Sequence, residues 1–228
     1  MMDFSARRHM DEELQGVRDT LFKMAVLTEK SVKDAVWALV NRDESVAQSV
    51  LNGDDAIDAL AHDVDSSCFS LIARYQPVAL DLRQIAAMVH MAIDLERIGD
   101  LAGNIAEIVM HLPILAKPLV DIPRMSELVI EMINLSMTAF LKEDVAPAHK
   151  AFAMDDLVDD LETQVFRELF VMIMENPEIM ERANRLIMIS RILERAGDHA
   201  TNLSEQACFA ITGEKVKASQ FRRPREAL

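Results

Sequence analysis

Residues 94–107 read DLERIGDLAGNIAE, and residues 192–205 read ILERAGDHATNLSE. Both stretches keep Leu, Glu, Arg, Gly, Asp, Ala, Asn and Glu in the same order and spacing. In the first copy, Leu95, Ile98, Leu101, Ile105 and Ile108 recur every three or four residues, the period of a helix with one apolar side. Asp58/Asp159, Pro77/Pro177 and Glu96/Glu194 are further matched pairs about 100 residues apart, with offsets that drift slightly, as short insertions at helix junctions would produce. The chain therefore reads as a duplicated helical unit.

Working outward, Met10, Leu14, Val17, Leu21 and Met24 alternate steps of four and three and predict a first helix reaching about Val40. Asp43 is placed to cap a second helix that ends near Tyr75, and Pro77 fits the first turn of a third running to about His111. HLPILAKPLVDIP (111–123) carries three prolines and reads as a connector. Beyond it a fourth helix is expected over about 124–142. A fifth follows over about 145–175, behind Asp144 and with Pro147 in its first turn, and a sixth runs from Pro177 to about Gly213. The expectation is an all-α fold of two tandem antiparallel three-helix bundles. Their bounds are a first repeat over 1–112, a connector over 113–123, a second repeat over 124–213 and a basic, disordered tail over 214–228.

Composition agrees. Half of the 228 residues are apolar, enough for a sizeable core, and 6 Gly, 7 Pro, 1 Trp and 1 Tyr leave little of what sheets require. A formal charge of −14 argues against a nucleic-acid partner, whose phosphates are bound by Lys and Arg, and favours cations or basic protein surfaces. Cys68 and Cys208 form no CxxC pair, so neither a thiolate metal site nor a redox motif is expected. The N-terminus has no apolar stretch behind its basic residues, and no uncharged run approaches the ~20 residues that span a bilayer. A soluble, cytoplasmic protein is expected, peripheral to a membrane at most.

On the third helix Glu96, Asp100, Asn104 and Glu107 fall within about 80° of arc, opposite the apolar side. Gly99, Ala102, Gly103 and Ala106 flank this oxygen stripe, as Gly197, Ala200, Thr201 and Ser204 do in the second copy. Small residues let a neighbouring helix or an ion come close. The second helix adds Asp55, Asp58, His62 and Asp65, and the fifth adds Asp156, Asp159 and Thr163. Antiparallel packing would gather Asp58, Glu96 and Asp100 in one half and Asp159, Glu194 and Asp198 in the other, with His62, Asn104 and Asn202 as weaker ligands. Two readings stand. The stripes are solvated faces with ordinary helix-surface ion pairs through Arg97 and Arg195, or a hard cation relieves the crowded carboxylates, Fe, Mn or Mg rather than Zn. The sequence holds no phosphate loop, no GxSxG elbow and no HExxH, and neither repeated helix has the Glu-x-x-His of di-iron bundles. The fifteen methionines sit at helical spacing and read as core filler.

QPVALDLR (76–83) leading into DLERIGDLAGNIAE, followed by LERAGDHATNLSE, resembles the PhoU family over nearly the whole chain. The resemblance implies multinuclear metal clusters, often iron, on the pairs Glu96/Asp100 and Glu194/Asp198. It further implies a non-catalytic adaptor between the ATPase subunit of a phosphate transporter and a membrane sensor kinase, restraining phosphate uptake and phosphate-starvation signalling, with a homodimer expected. The second half departs from the pattern: NPEIMERANR replaces QPVALDLR, and Phe166 stands at the position of Asp65. The rival functions are a carboxylate-bridged metal enzyme and a metal-independent acidic scaffold.

Overall fold

The computed structural model describes residues 4–111 and 121–221. Among them are six α-helices: α1 (Phe4–Asn41), α2 (Glu44–Tyr75), α3 (Ala79–Met110), α4 (Asp121–Lys142), α5 (Val145–Glu175) and α6 (Met180–Thr212). Each antiparallel set of three forms a bundle. The two bundles join where α3 packs on α6 and α1 on α4, leaving α2 and α5 on the flanks.

The junctions follow from local chemistry. Asp43 caps α2 by accepting from the N–H groups of Ser45 and Val46, and Asp144 caps α5 through that of Ala146. Gly213, at φ 79, closes α6 in the left-handed conformation that a side chain disfavours, and its N–H donates to Phe209 O. Three expectations are corrected. Pro77 lies ahead of α3 rather than inside it, because Gln76 turns left-handed (φ 47) to close α2 and Val78 is extended before the helix begins at Ala79. The fourth helix starts at Asp121, with Pro123 in its first turn, where a missing N–H removes no helical bond. The last residues of the expected connector are thus helical, and 112–120 lie outside the described residues. The tail from Glu214 to Phe221 packs rather than straying: Ala218 is buried, its N–H donates to Glu205 Oε1 at 2.8 Å, and Phe221 stacks on His149 and Phe152. Residues 222–228 lie outside the described residues.

The core is aliphatic and methionine-rich: Met10, Met24, Met88, Met91, Met125 and Met132 are all fully buried. The buried serine and threonine hydroxyls are hydrogen-bonded. Ser136 on α4 and Ser204 on α6 share a 2.7 Å hydroxyl contact, and the Ser136 hydroxyl also lies within reach of Met132 O and Ala200 O. Thr28 donates across the first bundle to Leu95 O. Cys68 and Cys208 are buried free thiols, and burial pushes them up to about 12 and about 11.

Candidate functional site

Asp54 and Asp58 stand one turn apart on α2, and Asp100 faces them from α3; one carboxylate oxygen of each lies within 4.8 Å of the others. Asp58 is exposed, and Asp54 and Asp100 are half-buried. Burial, and then the negative charge of Asp58, Asp100, Asp55 and Glu96, hold the Asp54 carboxyl above its ordinary value. Asp100 also accepts from Arg97 at 3.1 Å through Oδ2. The two sequence readings of the stripe therefore meet in Asp100, which carries a helix-surface ion pair and is itself a member of the carboxylate cluster.

Asp58 links this cluster to an adjoining cleft of about 420 Å³, bordered by Glu96, His62 and Asp65. Glu96 thus sits beside the cluster and outside its tightest trio. His62 is exposed in the same cleft, with Nε2 at 3.5 Å from Ser66 Oγ. Asn104, the next position along the α3 stripe, is exposed and does not line that cleft.

Sequence reasoning missed Asp54. The signal was present, since Asp54 precedes Asp58 by four residues on the same helical face. What placed it is Gly99: a Cβ there would lie 3.0 Å from Ile57 Cδ1 and 3.7 Å from Asp54 Oδ1, so the missing side chain lets α2 settle against α3. Gly197 repeats the arrangement, with Val158 against it at 3.5 Å. Gly103 has no such neighbour within 4 Å.

The second bundle carries the same parts in a different state. Asp155 corresponds to Asp54, Asp159 to Asp58 and Thr201 to Gly103. Asp155 is buried, and Thr201 Oγ1 donates to its Oδ1 at 3.1 Å. Where the first bundle has a glycine, a hydroxyl thus holds the equivalent aspartate inside. Burial, and then Asp198, Asp159, Glu162 and Asp155, raise the Glu194 carboxyl, so the expected residues are electrostatic neighbours. Among the described residues, however, only Asp54, Asp58 and Asp100 bring three ligand atoms within 4.8 Å.

Asn202 is drawn elsewhere. Its Nδ2 donates to Asp94 Oδ1 at 3.2 Å, and His199 Nδ1 meets the same oxygen at 2.9 Å across the α3–α6 seam. Asp94 and His199 occupy the positions of Ile192 and Leu101 in the opposite copies, so the duplication has diverged where the bundles join.

Three converging carboxylates beside a fourth, with a histidine bordering the adjoining cleft, offer hard oxygen donors of the kind Mg, Mn and Fe accept. No helix among the described residues is long and apolar enough to cross a membrane. The chain is 40% identical over 209 residues to the phosphate-specific transport system accessory protein PhoU homolog of Aquifex aeolicus, covering 90% of this chain and 94% of that protein. It is 35% identical over 212 residues to PhoU homolog 1 of Thermotoga maritima, covering 92% and 91%. The crystal structure of PhoU from Pseudomonas aeruginosa superposes with a TM-score of 0.85 at 35% identity, over 90% of this chain and 99% of that one. The PhoU domain matches residues 21–109 and 122–207, one copy per bundle, and the chain belongs to the PhoU family.

Proposed function

We propose that this protein restrains phosphate uptake and phosphate-starvation signalling as a non-catalytic, metal-binding adaptor between the transporter's ATPase subunit and its sensor kinase. The relatives named above are accessory proteins of the phosphate-specific transport system, and this chain covers nearly all of their length, which supports the regulatory part. The observation that carries the metal-binding part is the convergence of Asp54, Asp58 and Asp100 across α2 and α3. Fe, Mn or Mg, singly or in a multinuclear cluster, fits this donor set, with Glu96 and His62 bordering the cleft beside it. Bound there, the cation supplies positive charge that cancels the repulsion among the carboxylates and ties α2 to α3. On this reading the protein acts in the cytoplasm, as a homodimer.

The test has two arms. The purified chain, loaded with Fe or Mn and desalted, should retain metal by elemental analysis, and the triple variant Asp54→Asn/Asp58→Asn/Asp100→Asn should not. In cells lacking the protein, the wild-type chain should repress a phosphate-starvation reporter at high phosphate. Absence of retained metal removes the coordination reading, and absence of repression removes the adaptor reading. The Arg97–Asp100 ion pair favours a second reading, an acidic scaffold that needs no metal. It predicts repression by the triple variant equal to wild type.

A further inference from the structure

On the face where α1 meets α4, a cleft of about 580 Å³ runs between the bundles. Val36, Trp37 and Val40 line it from α1, and Pro123 and Ile130 from α4. Trp37 is the only tryptophan in the chain and is 45% exposed. A large aromatic left half in water at the mouth of an apolar cleft is the kind of group on which binding energy concentrates when a partner covers it.

The rim is charged unevenly. Glu127 and Glu131 stand on the α4 side, Glu127 being tied to Arg124 at 2.9 Å, and among the described residues Lys33 is the one cationic residue lining the cleft. One turn before Lys33, Glu29 is half-buried beside Asn134, with its carboxyl raised chiefly by burial. A carboxylate in that position gains from a cation brought by a partner. An acidic rim on a chain of charge −14 repels an anionic membrane surface. In a two-fold pairing through this face, a second copy offers the same concave groove, and two such grooves do not fill each other.

We infer that the α1–α4 cleft docks an amphipathic helix of a partner protein, its apolar stripe seated on Trp37 and Ile130 and its Lys or Arg flank against Glu131 and Glu29. The contact buries Trp37 and places a cation beside the α4 wall. It spans both bundles, so its occupancy is sensitive to how they sit together.

The lone tryptophan reports occupancy directly. Two synthetic helices with Leu at i, i+4 and i+7, one flanked by Lys and one by Glu, are titrated into the full-length protein while its emission is followed. The Lys-flanked helix should saturate with a blue shift, and the Glu-flanked helix should bind at least about tenfold more weakly. Glu131→Lys, an exposed change that leaves the fold intact by circular dichroism, should narrow or invert that preference. No shift with either helix, or equal affinity for both, overturns the proposal. A blue shift of the chain alone that appears only at high concentration, together with a dimer by sedimentation, assigns the cleft to a second copy and overturns it as well. Anionic vesicles that shift the emission while the Lys-flanked helix does not would assign it to a membrane surface, with the same consequence.

Discussion

Replacing Asp54 by Asn should stabilise the metal-free protein and weaken its stabilisation by metal. Two unit charges 4.8 Å apart repel by about 1 kcal/mol in water-like surroundings and by about 3–4 kcal/mol at an effective dielectric near 20. Asp58 is exposed and Arg97 offsets part of the charge on Asp100, so the lower figure governs. With two repulsive pairs removed, the gain is about 1–2 kcal/mol, or about 2–4 °C in Tm for each kcal/mol in a chain of this size. The pH dependence has a definite sign. A carboxyl held above its unfolded value penalises the folded state at neutral pH, and the penalty disappears as acidification protonates the group. The advantage of Asp54→Asn should therefore be full at pH 7 and vanish near pH ~4, the ordinary range of an aspartate. Metal at about one hundred times its dissociation constant adds about 2.7 kcal/mol to the wild type, and the variant should gain much less. Urea titrations in chelator and in Mn at several pH values measure all three quantities. A variant less stable than wild type in chelator would refute the repulsion argument, and an unchanged metal increment would remove Asp54 from the site.

Gly103→Ala should raise stability by about 0.5–1 kcal/mol in the same titration, because a Cβ there meets nothing within 4 Å and helix propensity alone decides. Ser136→Ala strips the buried Ser204 hydroxyl of its 2.7 Å partner and should cost about 1–3 kcal/mol of unfolding free energy in the same titration, where an ordinary surface Ser→Ala change costs almost nothing. Phe221→Ala removes the ring stacked on His149 and Phe152, so hydrogen exchange at the Ala218 amide should accelerate while the helices keep their protection. Cys68 and Cys208, buried with thiols pushed up to about 12 and about 11, should resist a thiol reagent at pH 8 until the chain is unfolded.

The six helices, their duplication and most of their ends are legible in the residues because they rest on local rules. A three-and-four apolar spacing, an Asp before a helix and a Gly after one act within a few residues of chain. The boundaries that moved are the prolines. Pro77 and Pro123 each suit a first helical turn by their own geometry, and only Gln76 turning left-handed excluded the first, while α4 extending back to Asp121 enclosed the second. The Phe221 strap was hidden because its aromatic partners lie on α5, far away along the chain.

The acid stripes belong to the sequence as well, since the helical period alone puts Glu96, Asp100 and Asn104 on one face and Asp58 on a face of its neighbour. Which acids converge does not. That depends on how far α2 sinks toward α3, which Gly99 sets through Ile57, and the outcome is Asp54 with Asp58 and Asp100, and Glu96 beside them. In the second bundle one hydroxyl, Thr201 in place of Gly103, holds Asp155 in the interior, although the repeated motifs look alike on paper. Asn202 is taken from its stripe by an aspartate of the other bundle. A sequence specifies which groups share a helix face, because that is a matter of a few bonds. The separation between faces is a balance of packing over whole helices, and only the assembled fold decides it.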